Sequence, residues 1–359
     1  VELHRIWLHD FRSYAAAELP LAPGLTAIVG PNGHGKTNLL EAVGYLATLR
    51  SFRGAPTDAL IRVGAAGAVV RAEGTNEGRS VLLEAELTTK GRGRVQVNRQ
   101  RLARARDLLG WVRVTVFSPD DLELVKGGPG ERRRYLDDTL LSLHRRHDAL
   151  LSDLDRILRQ RNALLRQSGG RPTPDVVTTL DVWDAKLTET GEAVADSREG
   201  LVRDLAPVLA AAYARVAGTA TPITAEYRSG WRQAGLAAAL AEGRRDDLRR
   251  GVTLVGPHRD ELDLRIGGMP ARSHASQGEQ RSLAWALRLA AHLVVRDAVG
   301  TPPVLLLDDV FSELDPARSQ GLLDGLPPGQ TLLTTAGGLP TGARPEVIVE
   351  VHEGELRVC

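Results

Sequence analysis

Apolar and polar positions alternate through Leu3 to Leu8, which predicts a strand near the N-terminus. Gly24-Leu25-Thr26-Ala27-Ile28-Val29 is a short apolar strand that runs straight into the glycine-rich segment Gly30-Pro31-Asn32-Gly33-His34-Gly35-Lys36-Thr37. Beyond it, Leu39, Leu40, Val43, Leu46 and Leu49 recur at a helical period, so Thr37 to Arg50 is expected as a helix. From Ala68 to Val97 short alternating runs separated by glycine and asparagine predict an antiparallel meander, and Trp111 to Phe117 adds a β-rich run. The middle third changes period. Leucines spaced helically from Arg132 to Gln167, then a Gly/Pro break and a second stretch from Val176 to Ala217, predict an inserted helical lobe, with Pro207 a candidate kink. Leu262 to Ile266 returns to strand, Gln277 to Val299 reads as a helix, and Pro302 to Leu307 is continuously apolar, as a buried parallel strand should be. Gln330 to Thr335 repeats that pattern, and Glu346 to Val351 with Leu356 to Val358 closes the chain.

Two of these segments carry chemistry. Gly30 to Thr37 fits G-x-x-x-x-G-K-[ST], in which backbone N–H groups cradle phosphates, the lysine reaches the β and γ phosphates and the hydroxyl goes to magnesium. A strand before it and a helix after it favour a phosphate loop over an ordinary turn. Asp308-Asp309, ending the apolar strand, matches the aspartate that completes a magnesium shell, although a strand ending in two acids can also be a solvated sheet edge. In the first reading Lys36 and Asp309 are the catalytic candidates, Asp309 orienting the attacking water, and Thr37 and Asp308 hold Mg2+. Most of the chain separates the halves, so the ATPase sheet must be interrupted by inserted structure.

Composition narrows the picture. A chain of 359 residues, 42% of them apolar, can bury more than one core. Its net charge of +1 gives no global pull toward nucleic acid, so any basic surface must be local. All basic residues except Lys36, Lys90, Lys126 and Lys186 are arginine, a bias that base composition explains as readily as function. One such surface is Lys90 to Arg106, where Arg92, Arg94, Arg99, Arg101 and Arg104 fall in a run without an acid; it reads as a solvated hairpin or as a DNA-backbone contact. Arg156, Arg159, Arg161, Arg166 and Arg171 form a second, diluted run. Cys359 is the single cysteine, which excludes an internal disulfide framework. With no membrane span or signal peptide in view, a soluble cytoplasmic protein is expected.

Ser276-Gln277-Gly278-Glu279 fits a helix capping box, and it also resembles the S-x-G-[EQ] signature of ABC-type ATPases. Ser312-Glu313-Leu314-Asp315 resembles their D-loop. Over nearly its whole length the chain resembles the RecF family of bacterial repair ATPases, an ABC-type, SMC-like group. The segments that carry this are Phe11-Arg12-Ser13-Tyr14, Ser118 through Asp137, Gly256-Pro257-His258-Arg259-Asp260 and Leu306 through Asp315. The resemblance implies an α/β fold, an ABC-type P-loop head with mixed sheets at residues 1–118 and 246–359, interrupted by a mainly helical lobe at 119–245. It implies ATP held by the loop, with Arg12, Ser13, Ser276, Gln277, Gly278 and Asp315 as further contacts, the signature acting across an ATP-dependent homodimer. Further implications are clamping of single-stranded, double-stranded or junction DNA, weak DNA-dependent ATP hydrolysis, gap repair and the SOS response, and RecO and RecR as partners. Departures are Asp309 where glutamate is usual, Thr334-Thr335 where a switch histidine is common, and no glutamine from Ser118 to Leu124, leaving Asp120 or Asp121 as its substitute. The nucleotide-binding subunit of an ABC transporter is the alternative that shares the same motifs.

Overall fold

The computed structural model describes residues 2–76, 78–91, 93–170, 172–313 and 316–359. By contact the chain divides into two compact units, Val1–Leu122 with Ala211–Ala220 and Arg281–Cys359, and Glu123–Ala210 with Thr221–Gln280.

The first unit holds two six-stranded sheets. One runs in the order Glu355–Val358, Val347–His352, Leu25–Val29, Thr331–Thr335, Val304–Asp308, Val114–Phe117. All neighbours are parallel except the terminal hairpin Val347–His352 with Glu355–Val358. Val304–Asp308 and Thr331–Thr335 are buried at every position, which is why their sequences do not alternate. Lys36–Thr48 is a helix that buries Leu39, Leu40, Val43 and Leu46. The second sheet is the expected meander, in the order Tyr14–Pro20, Glu2–Phe11, Gly67–Asn76, Arg79–Thr88, Arg94–Val97, Gln100–Arg101. Gln330 ties the sheets together: its Oε1 accepts Leu3 N–H at 2.9 Å and its Nε2 donates to Leu3 O and Ala22 O.

The second unit contains helices Pro129–Leu143, Arg146–Gln167 and Leu236–Arg250, most of Pro174–Ala217, and a three-stranded antiparallel sheet ordered Met269–Pro270, Glu261–Ile266, Ile223–Arg228. Its core packs Leu154, Ile157, Leu187, Val194, Trp231, Leu236 and Leu240. The run from Arg132 to Gln167 is two helices rather than one, broken at His144, whose backbone is extended, and His147 returns to bond Asp137 at 3.2 Å. Residues 246–280, expected with the ATPase head, group with this unit instead. The reason lies in long-range pairing: Glu261–Ile266 pairs with Ile223–Arg228, and buried Asp247 is held by Arg161.

Candidate functional site

The phosphate loop is shaped by its glycines. Gly30 and Gly35 have φ of 153° and 109°, and a Cβ on Gly30 would lie 2.3 Å from Val351 O, one on Gly35 2.8 Å from Tyr14 Oη. Gly33, also at positive φ, faces open space. The helix then starts at Lys36 with no side-chain cap and no acid in its first turn. Asn38 N–H bonds Gly35 O at 2.9 Å, and the N–H groups before it, with the positive dipole end, are left for an external anion. Lys36 folds back over the loop, Nζ donating to Pro31 O at 2.9 Å and Asn32 Oδ1 at 3.4 Å. Burial lowers its pKa, against the opposing pull of Asp309 and Asp308. His34 accepts Glu353 N–H on Nδ1 at 3.1 Å and stacks edge-on with His352.

Asp308, 271 positions from Thr37 in the chain, accepts the Thr37 hydroxyl on Oδ1 at 2.8 Å. Thr334 donates to the same oxygen at 2.8 Å. Burial raises the Asp308 carboxyl pKa, and the two hydroxyls work against that shift. Asp309 adopts a left-handed backbone at φ 49°, donates its N–H to Thr334 Oγ1 at 2.9 Å, and keeps a buried Oδ1 with no partner among the described residues. The strand ending in two acids is thus buried, and its carboxylates lie beside the phosphate loop. Hard oxygens on Thr37 and Asp308 suit a small divalent cation, and the uncapped helix end with a buried ammonium suits phosphate. Both observations fit Mg2+ and a nucleotide triphosphate.

Other expected residues are placed differently. Ser13 sits against the loop, its Oγ accepting Asn38 Nδ2 at 3.0 Å. Arg12 is engaged with buried Glu41 at 2.7 and 2.8 Å and with Ala59 O, so its guanidinium braces the loop helix. Tyr14 Oη donates to Gly35 O at 3.0 Å. Asp121 does not offer a free carboxylate in place of the missing glutamine: it is buried, bonded to Arg288 at 2.8 Å and capping Ser118 N–H at 2.9 Å. Asp120 is exposed. Ser276 and Glu279 form the reciprocal capping box, with Ser276 and Gln277 exposed and Gly278 half-buried. Asp315 and Arg92 lie outside the described residues, as does Arg171.

On the basic hairpin, Asn98 and Arg99 both take positive φ and form its two-residue turn. Arg99 and Arg101 are exposed and make no ion pair among the described residues. Arg94 pairs with Glu86 at 3.1 Å and Arg104 with Asp107 at 3.0 Å. The second run is not a cationic face: Arg161 is fully buried in ion pairs, and Arg156 and Arg159 are neutralised by Asp153 and Asp155. Sequence reading missed Glu41 and the bridging role of Thr334. The signal for the latter is a hydroxyl at the end of the strand next to the acids, visible only once parallel register pairs Asp308 with Thr334.

Residues 2–329 match the family described as RecF/RecN/SMC N terminal domain. The chain is 47% identical over 344 residues to the DNA replication and repair protein RecF of Streptomyces avermitilis, covering 92% of this chain and 91% of that one. It is 42% identical over 373 residues to the protein of the same name from Acidothermus cellulolyticus, covering 99% of each. Its fold superposes on the solved structure of the recombination mediator protein RecF-ATP in RecFOR pathway with a TM-score of 0.91 at 27% identity, covering 100% of this chain and 97% of that one.

Proposed function

This chain belongs to the RecF/RecN/SMC N terminal domain family, and from that premise we propose that it is an ATP-driven DNA clamp of replication and repair. The observation that carries the reading is the convergence of Lys36, Thr37, Asp308 and Asp309 from opposite ends of the chain, with Lys36 given only neutral oxygens as hydrogen-bond partners, and Asp309 Oδ1 no partner, among the described residues. In this reading the loop N–H groups and Lys36 bind the phosphates of ATP. Thr37 and Asp308 hold Mg2+, which neutralises phosphate charge when bound. Asp309 orients the water for hydrolysis, and its side chain, shorter than the usual glutamate, makes turnover slow. Relatives named for DNA replication and repair, and a solved neighbour named with ATP, support this assignment.

Ser276, Gln277 and Gly278 of a second copy complete the site, so ATP closes a homodimer and hydrolysis opens it. The exposure of Ser276 and Gln277 supports an intermolecular role. Arg99 and Arg101 contact the DNA backbone, with Arg94 and Arg104 contributing less because acids already hold them. We place its work in the cytoplasm, in gap repair and the SOS response, with RecO and RecR as partners and DNA stimulating a weak ATPase. No helix among the described residues is long and apolar enough to cross a membrane.

Sedimentation of the parent, Lys36→Met and Ser276→Arg, with and without ATP and duplex DNA, tests the reading. The parent is expected to dimerise and retain DNA only with ATP, and both variants to stay monomeric. Variants that dimerise as tightly as the parent would rule out the sandwich.

A further inference from the structure

Thr334 stands at the point where the two acids meet. It is fully buried, and the parallel register sets it directly opposite Asp308. Its hydroxyl proton goes to Asp308 Oδ1 at 2.8 Å, while its oxygen accepts the Asp309 N–H at 2.9 Å. Leu307 O, at 3.5 Å, is too distant to compete for the proton. One hydroxyl therefore uses both of its capacities on the two neighbouring carboxylate residues.

The second of those bonds has a structural consequence. Asp309 holds a left-handed backbone that residues with a Cβ seldom adopt, and its amide is fixed by a side chain rather than by the sheet. Release of that amide would let Asp309 relax toward an extended conformation and swing its carboxylate. The first bond has a consequence for Asp308. With Thr37 and Thr334 both on Oδ1, Oδ2 is the oxygen turned free of those hydroxyls.

We propose that Thr334 is a positioning residue for phosphoryl transfer, whose single hydroxyl locks the metal-side and water-side carboxylates in one register. The proposal rests on the ATPase reading above. A valine keeps the branched shape and removes only the hydroxyl, leaving the Asp309 N–H buried without an acceptor. A serine restores the hydroxyl and removes only a methyl group.

The test compares the full-length parent, Thr334→Val and Thr334→Ser in two readouts. In steady-state hydrolysis, Thr334→Val is expected to lower kcat by about 10- to 100-fold with KM for ATP within about threefold of the parent, and Thr334→Ser to recover most of kcat. In nucleotide-free protein, hydrogen exchange across residues 306–312 is expected to quicken in Thr334→Val and to match the parent in Thr334→Ser. Either parental kcat or parental exchange in Thr334→Val overturns the proposal, and so does a serine variant as slow as the valine one, which would make packing the cause. A parent that binds no ATP overturns the function proposed above and this role with it. Parental kcat in Thr334→Val overturns this role alone.

Discussion

Both units bury charged side chains, but they treat them differently. In the second unit Arg161 is fully buried and meets Asp184 at 2.6 Å, Asp247 at 2.7 Å and Thr253 Oγ1 at 2.9 Å, leaving only Nη2 without a partner among the described residues. Arg132 is paired with Glu261 at 2.6 Å, and Arg198 with Asp137 at 2.7 Å. Such charges are neutralised by the protein itself, so their role is to hold helices and strands in one arrangement. The first unit also pairs Arg12 with Glu41 and Arg288 with Asp121. Its phosphate loop is the exception. Lys36 receives two neutral oxygens, and the neighbouring Asp309 leaves Oδ1 unmatched among the described residues. A buried charge without an internal partner costs stability, and that cost persists where a ligand is meant to supply the partner.

The largest way to break this comparison is at Arg161. Arg161→Met strands Asp247 in the core and removes one of the contacts of Asp184, so it is expected to lower the unfolding free energy by about 3–5 kcal/mol in a denaturant titration. A loss under about 1 kcal/mol would mean that the network is not structural. Lys36→Met should have the smaller effect. Removing an ammonium that burial disfavours is expected to leave stability within about 1 kcal/mol of the parent, or above it. A loss as large as that of Arg161→Met would make Lys36 a structural cation and erase the distinction.

The same contrast explains what could be read in the sequence. The phosphate-loop helix, the helix Gln277–Val299 and the strand Val304–Asp308 were legible because each depends on local periodicity or on a contiguous motif. The strand Ile223–Arg228 was not, because its partner among the described residues is Glu261–Ile266, further along the chain. Arg161 looked like part of a basic surface, since charge in a sequence carries no sign of burial until Asp184 and Asp247 arrive from other helices. Residues 246–280 group by contact with the helical unit through pairing of the same long-range kind. Arg12, similarly, is committed to Glu41 on the opposing helix. At the phosphate loop, Lys36, Thr37, Asp308 and Asp309 are legible from motif alone, while the bridge that Thr334 makes to both acids is visible only through the register of two parallel strands.

The central claim is that the ammonium of Lys36, given no salt bridge among the described residues, is kept for the phosphates of a nucleotide. Its most direct test is thermal unfolding of the parent, Arg161→Met and Lys36→Met with and without Mg-ATP. Ligand that binds only the folded state raises its stability, so the parent and Arg161→Met should gain the same increment and Lys36→Met none. No gain in the parent, or an equal gain in Lys36→Met, would contradict the account.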